Sequence, residues 1–242
     1  MVSQVDDLVK SIYRTRMTPR KLGDGVWVLE APLRVGPLEL GARTTVLELA
    51  GGDLCVHSPG PPGPAGEALA SVRGLGHVRA LVAPNLMHHL FFARWASAFP
   101  EAACLGPSGV AAKVPGVRIR AIDAEWADLV RDSLDVCPLG GMPRLDEVAL
   151  LHRPSRSLVL TDLCFNIRRA PLVTRLMMQL NQGFGRFGCT RLGRSLIQDS
   201  AALRRSLDVV LGWDFDRVIV GHGDVVESGG HDVLTDAFAW LR

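Results

Sequence analysis

The sequence has no apolar run of the roughly 18 residues that a membrane-spanning helix needs, so we expect no transmembrane segment. Residues 1–17 contain acidic side chains and lack an apolar core, which argues against a secretory signal. No internal repeat and no long linker rich in proline, glycine or serine divides the 242 residues. We therefore expect one cytoplasmic domain that covers residues 1–242.

Cysteine is also sparse, and the five cysteines are widely spaced, odd in number and without a C-x-x-C pair. This pattern argues against a disulfide framework or a zinc ribbon and favours reduced thiols. No paired histidine and acid lie near these thiols in the sequence, so they do not indicate a nucleophile. The glycine-rich residues 183–188 do not join a strand to a helix, so they do not predict a phosphate-binding loop. The sequence therefore assigns no catalytic residue.

Strand patterns and helix patterns follow one another in a similar order in both halves of the chain. The first half predicts strands at 25–30, 44–49, 53–57, 78–83 and 102–105, with helices at 65–73 and 88–98. The second half predicts strands at 117–122, 134–137, 146–152, 157–162 and 217–221, a helical region at 171–211 and a helix at 231–241. Leading strands and trailing helices predict an α/β protein in which two sheets pack together with helices outside.

Polar side chains follow three apolar strands, at the point where each strand ends. His88 and His89 come shortly after "LVA", Asp162 ends "LVLTD", and His222 follows "VIVG". Loops at the carboxyl ends of strands are where α/β proteins place ligand chemistry. Imidazole and carboxylate together suit zinc, iron or manganese, so the recurrence predicts a metal site. Each residue on its own also fits a hydrogen-bonded turn, a helix cap or core packing. His152, which precedes the turn "RPSR", is expected at the surface instead.

Four phrases of the sequence resemble motifs of the metallo-β-lactamase superfamily: "HSPGP", "APNLMHHLFF", "TDLCFN" and "WDFDRVIVGHG". In order and spacing they stand where that superfamily has an Asp-Thr-Gly-type turn, a His-x-His-x-Asp-His motif, a Gly-Asp and a closing Gly-His. The resemblance covers nearly the whole chain and is strongest with an uncharacterised branch of the superfamily. It implies an αββα four-layer sandwich with a metal site along one edge.

The metal motif departs from the superfamily pattern in its first half. Aligning the two adjacent histidines on the motif's Asp-His places Pro84 and Leu86 where its first two histidines belong, and neither side chain binds metal. A shifted register places Asn85 and Met87 there instead, with His89 at the aspartate position. An intermediate histidine of the superfamily is missing as well. The resemblance therefore implies that the first of two metal sites is lost.

The residues that survive predict a site for a single divalent ion, either zinc, iron or manganese. The resemblance maps His89, Asp162 and His222 onto the second metal site, with His88 or His57 as a candidate fourth ligand. His57 stands at a turn, where it either orients a metal ligand or binds the metal itself. The alternative is that it has no role in the site and that the Ser-Pro break accounts for the turn. Because His88 replaces an aspartate, the site loses one negative charge and should hold an ion more weakly. The alternative is a hydrogen-bonded cluster in which Asp162 orients neutral histidines and no metal binds.

Positive charge is concentrated in one segment, although the net charge of the chain is only +2. Residues 166–207 contain eight arginines and one acid, Asp199. We predict that residues 168–205 form a helical insertion beside or over the cleft, because the segment exceeds an ordinary connection. Its arginines form a solvated face or contact an anionic substrate, phosphate or membrane surface. Its apolar residues have helical spacing, which fits either an interfacial helix or core packing: Leu172, Val173, Leu176, Met177 and Leu180.

Two functions from different classes fit these observations. The first is a hydrolase or oxidoreductase whose single metal polarises a carbonyl or phosphoryl oxygen or lowers the pKa of a bound water. The second is a non-catalytic descendant of the fold that binds a ligand or partner in the old cleft. The small-molecule substrate is not identified by the sequence, and no specific nucleic-acid binding is expected. Metal content separates the two functions.

Overall fold

Two mixed β-sheets pack face to face in the computed structural model of the protein, which describes residues 16–122, 126 and 130–241. Residues 1–15, on which the expectation of no secretory signal largely rests, lie outside the described part. Helices pack against the outer face of each sheet, so the layers follow the order helix, sheet, sheet, helix. The α/β four-layer sandwich that the sequence predicts is thus confirmed.

The first sheet combines an antiparallel half with a parallel half. In spatial order its strands are β1 (Arg16–Gly23), β2 (Val26–Ala31), β5 (Ala42–Glu48), β6 (Leu54–His57), β7 (Val78–Val82), β8 (Ala103–Gly106) and β9 (Arg120–Ala121). Strands β1, β2, β5 and β6 pair antiparallel with their neighbours, whereas β6, β7, β8 and β9 pair parallel. A short hairpin of β3 (Arg34–Val35) and β4 (Leu38–Glu39) lies between β2 and β5 in the chain.

The second sheet is smaller and places two of the predicted site segments side by side. Its strands in spatial order are β10 (Leu134–Pro138), β11 (Val148–His152), β12 (Ser157–Val159) and β13 (Arg217–Ile219). The first three pair antiparallel, whereas β12 and β13 pair parallel. Because parallel strands end at the same edge of a sheet, the residues that follow β12 and β13 emerge next to each other.

Alternating side chains divide each strand between the inter-sheet core and an outer core. In β6, Cys55 faces the core between the sheets, whereas Leu54 and Val56 face the outer helices. In β11, Leu150 faces the inter-sheet core and Leu151 faces outwards. The core between the sheets takes side chains from both halves of the chain, so we expect both to unfold together. The assignment of residues 1–242 to a single domain stays a prediction.

Helices and one 3-10 turn complete the outer layers. The first sheet is covered by α1 (Glu67–Arg73), α2 (Phe92–Ala98) and a 3-10 helix at Ser108–Lys113. The segment between β12 and β13 contains α3 (Leu172–Leu180), α4 (Arg191–Ser195) and α5 (Ser200–Leu211), and α6 (Gly230–Ala237) follows β13. Residues of α5 and α6 pack on the outer face of the second sheet. No helix within the described ranges is both long and apolar enough to span a bilayer.

Several predicted elements differ from the observed ones in their bounds, their existence or their burial. The helix predicted at 88–98 begins only at Phe92, so both adjacent histidines lie in the turn before it. Strand β1 was not predicted, because its sequence is largely polar and its pairing with β2 is irregular. The surface position predicted for His152 is wrong: the side chain is buried, with Nε2 2.9 Å from the carbonyl oxygen of Glu48. This contact joins β11 of one sheet to β5 of the other.

Candidate metal centre

The ends of three strands bring His88, Asp162 and His222 together. After β12 the chain stays paired with its neighbour, since the N–H of Leu160 donates to the carbonyl of Ile219. Asp162 and His222 therefore leave the parallel pair at the same edge. His88 lies in the turn that follows β7 of the other sheet. Gly221 makes room for it, because a Cβ there would lie 3.2 Å from Cε1 of His88.

The Asp162 carboxylate lies between the two imidazole rings. Its Oδ2 is 3.1 Å from Nε2 of His88, and its Oδ1 is 3.2 Å from Nε2 of His222. One ligand atom from each residue falls within 4.8 Å of the others. The side chains of His88, Asp162 and His222 are 12%, 14% and 6% exposed. Most of the group is therefore shielded, and a small part of its surface contacts solvent. Among the described residues this is the one cluster with metal-ligand geometry.

The ring of His222 is held in a single tautomer. Its Nδ1 lies 2.7 Å from the carbonyl oxygen of Gly41, so Nδ1 carries the proton and donates it. In the neutral ring this leaves a lone pair on Nε2, the atom that faces Asp162. The ring of Phe165 stacks on the imidazole, with centroids 5.3 Å apart. His222 therefore presents Nε2 to the cluster before any ligand binds.

Buried Arg43 fixes the backbone on both sides of His222. Its guanidinium donates to the carbonyl oxygens of Val220 and Gly223 and forms an ion pair with Glu30 at 2.7 Å. A planar guanidinium suits this arrangement, because its donors point in fixed directions. Arg43 lies only two residues after Gly41 in the sequence. The same short stretch of chain therefore holds the ring of His222 through Gly41 and the backbone around it through Arg43.

His88 is oriented by a serine in an unusual backbone conformation. Ser58 Oγ lies 2.6 Å from Nδ1 of His88, which directs Nε2 towards Asp162. Ser58 follows β6 directly and has a φ of 56°, in the left-handed region that few residues other than glycine adopt. Strained conformations of this kind persist where the surrounding structure holds them, and they are enriched at functional sites.

A buried network behind the cluster was missed at the sequence level. Asn85 is fully buried, and its Nδ2 lies within hydrogen-bonding distance of Glu147, Thr161 and Asp162. Glu147 is 1% exposed and accepts hydrogen bonds from the backbone N–H groups of Thr161, Asp162 and Leu163. The carboxylate thus holds the loop that carries Asp162. A buried acid at the start of an apolar strand is the sequence signal that could have revealed it.

Charges in the cluster perturb one another strongly. Burial alone would raise the pKa of the Asp162 carboxyl, but His88 and His222 outweigh burial and hold that pKa well below its ordinary value. Burial would lower the pKa of His88, yet the charge of Asp162 raises it overall. The pKa of Glu147 is raised, first by burial and then by the charge of Asp162. Asp162 therefore stays ionised between two imidazoles at neutral pH, which favours a cation at this position.

His57 lies deeper than the cluster and has both ring nitrogens unpaired. It is 1% exposed, and neither nitrogen has a hydrogen-bond partner among the described residues. It ends β6 and shares the inward-facing side of that strand with Cys55. Burial lowers its pKa to about 3, and the charge of His88 contributes to the same shift. The converging ligand atoms belong to His88, Asp162 and His222, so His57, a candidate fourth ligand in the sequence, lies outside that group.

We predict that metal-free protein loses stability in mild acid because of His57. Its pKa is near 6.5 in the unfolded chain and about 3 in the fold, so the unfolded state binds more protons between these values. The contribution of His57 should then be nearly constant above pH 7. It should lower the free energy of unfolding by about 2 kcal/mol between pH 7 and pH 5, relative to a variant without this imidazole. The variant His57→Leu should lack this loss, as measured by urea unfolding at both pH values. Equal acid sensitivity of both proteins would contradict the assignment.

The two adjacent histidines have different surroundings in the structure, and one of them belongs to the cluster. His89, which the sequence-based alignment assigned as a ligand, has Nδ1 3.0 Å from the carbonyl oxygen of Leu86 and takes no part in the cluster with Asp162. His88, assigned only as a candidate fourth ligand, stands in its place. Whether any of these side chains binds metal stays a prediction. A divalent ion does fit the donor set, because two imidazoles and a carboxylate with water give a common four-coordinate arrangement.

The fold matches those of known proteins, although the sequences have diverged widely. Neither a protein-family model nor a curated protein is similar enough in sequence to match this chain. A metallo-β-lactamase from Pontibacter korlensis has a similar structure, with a TM-score of 0.62, 12% identity, and coverage of 92% of this chain and 97% of that one. For the DIM-1 metallo-β-lactamase the values are 0.62, 13%, 93% and 97%.

Rubredoxin oxygen:oxidoreductase from Desulfovibrio gigas is also similar, with a TM-score of 0.63 and 11% identity. The match covers 93% of this chain but only 60% of that longer protein. These likenesses show that the chain has the α/β metallo-β-lactamase-type fold, with two mixed sheets and helices. At such low identity they establish the fold and leave the activity to be argued from the site.

Proposed function

We propose that the protein is a hydrolase that uses one divalent metal ion held by His88, Asp162 and His222. The observation that carries this proposal is the convergence of these three side chains, with their ligand atoms within 4.8 Å of one another. A single ion satisfies the chemistry of the donor set, since imidazole and carboxylate are ligands of zinc, iron and manganese.

Each residue of the centre has a distinct task in this proposal. When bound, the metal supplies Lewis acidity and lowers the pKa of a coordinated water. His222 offers Nε2 because Gly41 fixes the proton on Nδ1. The contact of Ser58 with Nδ1 of His88 turns the Nε2 of that ring towards the centre. Asp162 contributes the negative charge, and the network of Asn85 and Glu147 keeps it in place. With one carboxylate among three ligands, the ion should be held more weakly than in a site with two.

The position of His88 favours a third register of the metal motif. If His88 is the last histidine of His-x-His-x-Asp-His, then Ala83, Asn85 and Met87 stand at the first two histidines and the aspartate. Asn85 is buried and its amide reaches Asp162, so a hydrogen-bond donor lies where the superfamily places a ligand. This register supports the proposal of one metal site rather than two.

Iron-dependent oxidation is a second candidate function, and the donor set is the observation that favours it. Two histidines and one carboxylate also hold iron in non-haem oxygenases. A non-catalytic binding role is the third candidate. It is supported by the direct contacts of 3.1 and 3.2 Å between Asp162 and the two imidazoles, which suit a cluster without metal.

Metal content and metal-dependent hydrolysis test the proposal together. Protein purified without added metal is analysed for elements, then stripped and titrated with zinc, manganese and iron(II). We expect one equivalent of metal, and hydrolysis of at least one of a carboxylic ester, a lactam and a phosphodiester that is lost on chelation and in His222→Ala. His231→Ala is the matched control, because that ring contacts the Leu211 carbonyl, Phe215 and Asp232 and lies outside the cluster.

Other outcomes would reject the hydrolase or the assignment of its ligands. Oxygen consumption by the iron form without hydrolysis would favour the oxidoreductase. Uptake of one metal without any turnover, or no uptake at all, would favour the binding role. The retention of metal by His222→Ala would contradict the assignment of ligands.

A further inference from the structure

Helix α3 exposes the apolar face that a helix on a protein surface normally buries. Its buried residues are Thr174 and Met178, and the Thr174 hydroxyl accepts a hydrogen bond from the backbone N–H of Glu39 in β4. The remaining apolar residues face outwards, with exposed fractions of 70%, 54%, 52%, 41% and 76% for Leu172, Val173, Leu176, Met177 and Leu180. Core packing, one of the two interpretations of this stripe in the sequence, is therefore wrong.

The apolar surface continues from α3 onto α4. The backbone N–H of Arg191 donates to the carbonyl oxygen of Asn181, and that of Leu192 donates to Asn181 Oδ1. These bonds place the start of α4 against the end of α3. Leu192 is 64% exposed and extends the same surface. We call the exposed apolar residues of α3 together with Leu192 the α3–α4 patch. Contiguous apolar surface of this kind marks an interaction site.

Positive charge predominates around the α3–α4 patch, and the nearby acids Glu39 and Asp224 are each paired with an arginine. Residues 163–198 contain six arginines and neither lysine nor acid. Arg175 lies on α3 itself, with its guanidinium 5.5 Å from the ring centroid of Phe184. Arg169 is 82% exposed and lies three residues before the helix, and Arg191 begins α4. Apolar side chains flanked by arginine are typical of helices that lie in the interface of a lipid bilayer.

We propose that the α3–α4 patch docks the protein onto an anionic lipid membrane, with the leucines entering the interface and the arginines contacting lipid phosphates. The positive charge around the patch favours a membrane over a second copy of the chain as its partner. Two copies meeting through this patch would bring two acid-free, arginine-rich segments together, which is unfavourable. An anionic bilayer complements both the charge and the apolar surface. The proposal does not depend on whether metal binds at the candidate centre.

Docking at this patch would also bring the candidate centre close to the membrane. The segment that carries α3 starts beside the centre, since the ring of Phe165 stacks on His222. The helix also rests on the β3–β4 hairpin through Thr174 and Glu39, and that hairpin leads directly to Gly41, the partner of His222. Two short connections therefore link the patch to the centre.

Vesicle co-sedimentation of the full chain tests the proposal. We expect binding to phosphatidylcholine vesicles that contain phosphatidylglycerol, little binding to phosphatidylcholine alone, and release by added salt. Arg175→Gln and Arg191→Gln should each lower the partition coefficient about five-fold. The double variant Leu176→Ser with Leu180→Ser should abolish binding without lowering the melting temperature, because both side chains are exposed.

Val209→Ser is the matched control, because Val209 is 53% exposed on α5 and lies outside the patch. It should bind vesicles as the wild type does. Absence of vesicle binding, or binding that neither salt nor the leucine variants reduce, would overturn the proposal. Dimerisation that the leucine variants abolish, seen by analytical ultracentrifugation in the absence of vesicle binding, would overturn it in favour of a second copy.

Discussion

Replacing Glu147 with alanine is expected to lower the free energy of unfolding by about 3 kcal/mol. The carboxylate is buried and accepts hydrogen bonds from three consecutive backbone N–H groups, at 161–163, and from the side chain of Asn85. Alanine leaves the three backbone donors buried and without this acceptor, and each such group costs about 1 to 3 kcal/mol. The side chain of Asn85 keeps Thr161 and Asp162 as partners. Urea unfolding of metal-free protein at neutral pH measures the change, because chelation removes any contribution from bound metal.

The adjacent acid provides the control for this prediction. Asp146→Asn removes the same charge one residue away and keeps a side chain that tolerates the φ of 51° found there. It should change the free energy of unfolding by less than about 1 kcal/mol. A loss below 1 kcal/mol for Glu147→Ala, or equal losses for both variants, would mean that the network does not hold the loop of Asp162.

His88→Ala and His89→Ala are expected to differ sharply in metal affinity. The first removes a proposed ligand, so its affinity should fall by more than the roughly 10- to 100-fold that loss of a supporting residue costs. The second removes a ring that contacts the Leu86 carbonyl and lies outside the cluster, so its affinity should stay within a few-fold of the wild type. Calorimetric titration of the stripped proteins with zinc measures both.

Because the two histidines are neighbours, each variant is the control of the other. Both substitutions remove one imidazole from the same turn, and both leave Asp162 and His222 unchanged. The reverse order, with the greater loss in His89→Ala, would support the register in which His89 is the ligand. Equal small losses would indicate that neither ring binds the ion.

Local pattern was sufficient to predict most of the fold. The apolar residues of β6 and β7 and the turns beside them predicted two strands close to their observed bounds, Leu54–His57 and Val78–Val82. Strand β1 escaped prediction because pairing with β2, rather than its own polar sequence, makes it a strand. Thus the elements with buried apolar faces were predictable, and an element stabilised mainly by its neighbour was not.

The candidate site could be predicted only in part, because its details depend on contacts between distant residues. The ends of apolar strands revealed Asp162 and His222. The choice between His88 and His89 depends on the conformation of one turn, and the sequence pattern started the helix four residues too early, at 88 rather than Phe92. The Asn85–Glu147 contact joins residues 62 positions apart, and the apolar strand that follows Glu147 does not indicate which side chain this acid meets.

The anchoring of His222 by the N-terminal part of the chain has a consequence for biosynthesis. Its contact with Gly41 joins residues 181 positions apart, and the bonds from Arg43 span 177 and 180 positions. A chain that is made from its N-terminus can close the shorter Asn85–Glu147 contact well before these. The centre therefore forms only after residue 223 has left the ribosome, and a metal ion would meet its full set of ligands only once both sheets have been synthesised.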